Sequence, residues 1–239
     1  MSAPLIAIAE RLRDDLRTIR FSAPVRHVYN PLVYAWMPHG EYLRRFGPGA
    51  HEVLIVGMNA SYFGMAQTGV PFGDVVMVRD WLGIDGVVER PRDEHPRRPI
   101  DGFACGRREV SGQRLWGWAR DAFGSPERFF ARFFVANYCP LCFLKDSGAN
   151  LALDKLPMGV RKPLQTICDR ALRAAAIATK ARYALGLGHF AAQRVEAVLG
   201  NDITCGAAPH PSPANARVGP NWSREMDRAL GAMGIDIHR

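Results

Sequence analysis

Lysine is scarce in this chain. Of its 31 basic residues only Lys145, Lys155, Lys162 and Lys180 are lysines. The formal charge of +8, left after 23 acidic residues, is therefore carried almost wholly by arginine. Such an excess favours a polyanionic partner, although arginine richness is equally a mark of genome composition. Long apolar runs are missing as well. No stretch approaches the roughly 18 apolar residues of a membrane span, and no membrane association is expected. Met1–Ile8 has no basic residue and its apolar run is broken by Glu10, so a secretory signal is not expected and the chain reads as cytoplasmic, or nuclear if eukaryotic. Cysteine is present in an odd number, at 105, 139, 142, 168 and 205, and only Cys139 and Cys142 have metal-like spacing. A zinc or iron–sulfur site needs three or four converging ligands. Buried free thiols in a reducing compartment are the reading taken, with no metal and no cofactor.

Several catalytic signatures are missing too. The glycine-rich stretch Gly57–Gly73 carries no Gly-Lys-Ser/Thr, and so is not a phosphate-binding P-loop, and it does not fit the dinucleotide fingerprint. It contains no carboxylate, which leaves a paired-carboxylate hydrolase unsupported. There is no Gly-x-Ser-x-Gly nucleophile elbow. Asp74 follows the loop, and Asp80 beside Arg79 reads as a surface ion pair.

What remains is patterned. With 48% apolar and 23% charged residues the chain is a soluble globular protein. Four short apolar runs, Val53–Gly57, Phe133–Asn137, Tyr183–Leu187 and Ile203–Ala207, read as buried strands. Between and around them lie helical patterns at Pro4–Arg20, Arg114–Phe123, Pro126–Phe133, Val160–Ala178, Phe190–Leu199 and Asn221–Met233. Alternating strands and helices predict a parallel sheet covered on both faces, in one domain over residues 1–239 with an amino-terminal helix (1–25) packed on it. Glu89–Arg114, with three prolines and seven arginines, reads as a long excursion from that domain. Ligands of such sheets bind at the carboxyl ends of the strands. Three of those ends carry unusual residues: the Gly57–Gly73 loop with Asn59, the amide of Asn137, and His210 held stiffly in Pro209-His210-Pro211-Ser212-Pro213. Asn137 on a hydrophobic strand needs partners and offers both a donor and an acceptor. Such a set can orient a planar, uncharged heterocycle and a water. His95 and His189 read as local structure.

Taken in order, Gly57-Met58-Asn59, the eleven-residue block Phe63–Gly73, Asn137-Tyr138-Cys139-Pro140-Leu141 and His210-Pro211-Ser212-Pro213 resemble the single-strand-selective monofunctional uracil-DNA glycosylases of the uracil-DNA glycosylase superfamily. The resemblance runs from about Arg26 to the carboxyl terminus, through Val78–Ile84, Glu94-His95-Pro96, Glu109–Gly112 and Trp222. It implies a three-layer α/β/α sandwich on a four-stranded parallel sheet. It also implies hydrolysis of the N-glycosidic bond of uracil, or of 5-hydroxymethyluracil and related bases, in single- and double-stranded DNA by a monomer, with no lyase step. By position, Asn59 would place the attacking water and His210 would stabilise the departing base. Asn137 would read the pyrimidine edge, Phe72 would stack on it and the Met58 backbone would touch it. Ser61, where the family commonly has glycine, would lie beside carbon 5 of the base and narrow the substrate range. Ser212, Asn215 and Arg217 on the His210 loop, and Ser147, Gly148 and Asn150, are the expected DNA contacts, with Arg217 in the duplex wedge. A catalytically weak or inactive DNA-binding member of the superfamily is the alternative.

Overall fold

The computed structural model describes residues 4–213 and 221–237. Its centre is a parallel sheet of four strands in the order β3-β2-β6-β7. These are β2 (Val53–Asn59), β3 (Phe133–Cys139), β6 (Tyr183–Leu187) and β7 (Thr204–Ala208). A small antiparallel sheet, β1-β4-β5, joins β1 (His27–Tyr29), β4 (Cys142–Leu144) and β5 (Asn150–Leu151). The four parallel strands coincide with the four apolar runs, with β2 and β3 each two residues longer and β7 one residue later. The small sheet was not foreseen, because two- and three-residue strands leave no periodicity to read.

The helices are α1 (Pro4–Leu16), α2 (Pro31–Tyr34), α3 (Trp36–Phe46), α4 (Met65–Thr68), α5 (Val110–Phe123), α6 (Pro126–Phe130), α7 (Met158–Thr179), α8 (His189–Leu199) and α9 (Trp222–Ala232). Two corrections belong here. The amino-terminal helix ends at Leu16, not Arg20, and α6 stops at Phe130 because Phe133 already starts β3. α1 packs on α7 and α7 on α8, while α5 packs on α6 and α9. These two groups form the outer layers of a three-layer α/β/α sandwich. Gly186 on β6 lets α8 approach: a Cβ there would lie 2.3 Å from the Ala192 nitrogen. Among the described residues no helix is long and apolar enough to cross a membrane.

Strand order fixes where a site can form. The chain leaves β2 for β3 on one side, then returns to β6 on the other side of β2. Crossovers thus diverge at the carboxyl end of β2, the switch point where doubly wound sheets leave a crevice. The excursion of residues 89–109 has almost no regular structure and is stapled over this end. Gln67 accepts from the Asp101 and Gly102 amides at 2.9 and 3.1 Å. The Tyr62 hydroxyl donates to the Pro99 carbonyl at 2.6 Å, and the Tyr29 hydroxyl to that of Arg98 at 2.6 Å. His95 is buried, accepting from the Arg97 amide at Nδ1 and reaching the Asp146 carbonyl from Nε2 at 2.9 Å. It is structural, as expected.

Candidate active site

At the crevice a cleft of about 610 Å³ is lined by Met58, Asn59, Ser61, Glu109, Asn150 and His210, among others. Asn59 ends β2 and its amide is fixed on three sides. Nδ2 donates to the carbonyls of Ala60 (3.0 Å) and Leu141 (3.4 Å), and Oδ1 accepts from the Leu153 amide at 3.3 Å. Leu141 belongs to the segment joining β3 to β4, so the Pro140-Leu141 link within Cys-Pro-Leu-Cys holds Asn59 by its backbone. The two thiols themselves are buried and free, and burial raises that of Cys142 to about 12.

Gly57 pairs with Asn137 across β2 and β3. A Cβ on Gly57 would lie 2.5 Å from both Asn137 Oδ1 and Phe72 Cζ. Only a glycine therefore lets the Phe72 ring and the Asn137 amide meet over the strand. Asn137 Nδ2 is steadied by the Met65 sulfur at 3.3 Å. Phe72 has φ +52, a conformation that side-chain-bearing residues adopt at a cost of about 1–3 kcal/mol. Its carbonyl is gripped by Trp116 Nε1 at 3.0 Å and by the Asp74 amide at 2.8 Å. Gly112 is required beneath it, since a Cβ there would sit 2.0 Å from the same carbonyl oxygen.

His210 stands 6.2 Å from Phe72, ring centre to ring centre. Its Nδ1 accepts the Ser212 amide hydrogen at 3.0 Å. A nitrogen that accepts from a backbone N–H carries no proton, so the imidazole hydrogen is on Nε2. Burial lowers the His210 pKa from its ordinary 6.5, which also favours the neutral ring. The loop behind it is tied to α5, where Arg114 donates to the Pro211 carbonyl at 2.9 Å.

The cleft lining offers a neutral donor in His210, the Asn59 and Asn150 amides and the Tyr62 and Phe63 rings, and no lysine among the described residues; Phe72 and Asn137 meet over Gly57, outside that lining. Three curated relatives bear on this. The proteins named single-strand selective monofunctional uracil-DNA glycosylase from Bos taurus, Mus musculus and Rattus norvegicus are each 43% identical to this chain over 228 residues. The alignments cover 94% of this chain and 84%, 82% and 82% of the relatives. The chain belongs to the single-strand-selective monofunctional uracil-DNA glycosylase family. No family model matches it. A crystal structure of SMUG2 from Pedobacter heparinus has the same fold, with TM-score 0.67 and 17% identity over 95% of this chain and 98% of that one.

Within this glycosylase the residues singled out from sequence are not all equally placed. Met58, Asn59, Ser61, Gly148, Asn150, His210 and Ser212 share the cleft lining. Phe72 and Asn137 meet over Gly57. Ser147 is exposed in the β4–β5 turn, where its hydroxyl accepts from the Ala149 amide at 3.3 Å, and it is not part of the lining. Asn215 and Arg217 lie outside the described residues. Ser61 Oγ occupies space that only glycine leaves at position 64, where a Cβ would be 2.5 Å away.

Sequence reasoning passed over the support. Asp74 is fully buried and takes a bidentate pair from Arg108 (2.9 Å), the Glu109 amide (2.9 Å) and the Met77 amide (3.2 Å). Glu109 caps α5 by accepting from Ser111 and Gly112, and burial raises its carboxyl above the usual 4.5. The aspartate directly after a glycine-rich loop was the available signal; its arginine partner, 34 residues away, was not visible.

Proposed function

We propose that this chain excises uracil, and those modified uracils its pocket admits, from DNA by hydrolysing the N-glycosidic bond of a base extruded into the cleft. Both single- and double-stranded DNA serve as substrate, with water as the nucleophile and no lyase step. The observation that carries this reading is the neutral His210, with its hydrogen on Nε2, in the same cleft as the immobilised Asn59. Cleavage leaves negative charge on the departing base and positive charge on the sugar. A donor fixed before the reaction stabilises that base without reorganising in the transition state. Asn59 Oδ1 has a second lone pair beside the one given to Leu153, and this can hold the attacking water.

Phe72 and Asn137 supply the face and the edge that a pyrimidine needs. Extrusion costs about a few kcal/mol in a duplex and less in a single strand. Among the described residues the cleft lining carries no lysine, and a Schiff base would need an amine there, which supports direct hydrolysis. The test is release of free uracil from a uracil-containing oligonucleotide. Asn59→Ala and His210→Ala should each lower the single-turnover rate by roughly 10²–10³-fold. No release by the wild-type protein would leave it a DNA-binding relative without activity.

A further inference from the structure

The excursion of residues 89–109 has a use beyond covering the site. Beside the cleft, cations alternate with aromatic rings: Tyr62, Phe63, Arg98 and Arg108 belong to its lining, and Arg107, outside the lining, lies over Phe63. The Arg98 guanidinium carbon lies 5.2 Å from the centre of the Tyr62 ring and 5.9 Å from that of Phe63. Arg107 lies 5.0 Å over the Phe63 ring. Arg108, next in sequence, lines the cleft and is held by buried Asp74 through Nε and Nη2. Its side chain is nevertheless 47% exposed. Arg98 is further anchored through Nε to the Gly148 carbonyl at 2.7 Å.

Each guanidinium is thus fixed by a ring or a carboxylate along one face or edge, and each keeps donors in excess of those used. Arginine has five N–H donors, whereas Arg98 uses Nε in its hydrogen bond to Gly148 and Arg107 uses no N–H in a bond within the described residues. Arginine held in place in this way loses little rotamer freedom when it binds, and its fork suits phosphate oxygens. Other arginines of the segment are spent or remote. Arg90 pairs with Glu94, Arg97 reaches the Asp146 carbonyl, and Arg92 is exposed and, among the described residues, lies over no ring that lines the cleft.

We infer that the Phe63–Arg98–Arg107–Arg108 wall is a site for the phosphodiester backbone of the DNA strand flanking the extruded nucleotide, with Arg107 an added phosphate ligand. This rests on the glycosylase reading for the position of the extruded base. Arg98, Arg108 and Phe63 share the cleft lining with His210, Ser212 and Pro213, so a strand entering the cleft meets both groups. An aromatic floor under a guanidinium also serves single strands, whose bases stack on such planes without regard to sequence.

The test is binding of a fluorescent single-stranded oligonucleotide that contains thymine and no uracil, followed by anisotropy across a salt series. Loss of one phosphate contact should reduce the slope of log K against log salt by about 0.7, which is about fivefold in affinity near 0.1 M salt. Arg107→Ala should show this, and Arg107→Glu more, while Arg92→Ala should bind as wild type does. An unchanged slope in Arg107→Ala, or an equal change in Arg92→Ala, overturns the inference. Thermal melting beside wild type shows that the variants are folded; Arg107 is exposed and its guanidinium lies over a ring face. Since the probe holds no excisable base, the result stands apart from uracil release, whose failure would strike the catalytic reading alone.

Discussion

Ser61 and His210 carry the residue-scale consequences. Ser61 lines the cleft, and its hydroxyl packs over Gly64. Replacing it by glycine removes a Cβ and an oxygen from the cleft wall, which in the proposed function faces the base. Ser61→Gly is therefore expected to raise excision of 5-hydroxymethyluracil relative to uracil, by about 10-fold if roughly 1.4 kcal/mol of crowding is relieved. Paired excision rates on the two substrates read this directly, and an unchanged ratio removes Ser61 from specificity. His210 must be neutral to accept from Ser212 while donating from Nε2. Burial lowers its pKa, so the proton that would disable it binds only below the ordinary 6.5. Activity should persist as pH falls through 6.5 and decline beneath it. A kcat/KM profile whose acid limb is centred at or above 6.5 would show that another group controls it.

At the scale of elements, glycines set the spacing between strand, loop and helix. Gly57 lets Phe72 and Asn137 share one face of β2, and Gly112 lets α5 slide beneath the Phe72 carbonyl. Gly57→Ala places a methyl group 2.5 Å from both an amide oxygen and a ring carbon. Overpacking of this kind costs about 1–3 kcal/mol. If the displaced Phe72 and Asn137 atoms hold the pyrimidine as proposed, affinity for product uracil should weaken by on the order of tenfold along with the loss of stability. A drop in melting temperature with uracil inhibition unchanged would separate Gly57 from the pocket. α5 unites the site: Trp116 holds Phe72, Arg114 holds Pro211 and Glu109 caps the helix at the cleft.

For the molecule as a whole, Asp74 joins parts distant in sequence. The loop after β2, the excursion through Arg108 and the start of α5 through Glu109 all meet its carboxylate. Asp74→Asn keeps the shape but removes the charge that anchors Arg108. Charged hydrogen bonds of this kind are worth about 1.5–3 kcal/mol, more where burial leaves a partner unpaired. The urea midpoint should fall accordingly with the slope unchanged, and excision should fall more steeply than the folded fraction. Wild-type stability in Asp74→Asn would mean that the pair contributes nothing to the fold.

The sequence by itself determined the four parallel strands, most of the helices and the residues that gather at the strand ends. Apolar runs such as Val53–Gly57 are buried on both faces, and that burial shows in composition without any partner being known. The ordered blocks around Asn59, Phe72, Asn137 and His210 were legible for a related reason. A glycine-rich loop and a doubly proline-flanked histidine are local backbone features, set by residues adjacent in the chain. Only the tertiary structure decided what holds them. It placed Asn59 under the Leu141 carbonyl, gave His210 its tautomer through Ser212 and Asp74 its arginine, and laid Arg98 and Arg107 on aromatic rings. The scarcity of lysine acquires a physical sense at that level. A guanidinium can be pinned by a ring or a carboxylate and still present donors, whereas whether any one arginine is so placed depends on contacts made across the fold.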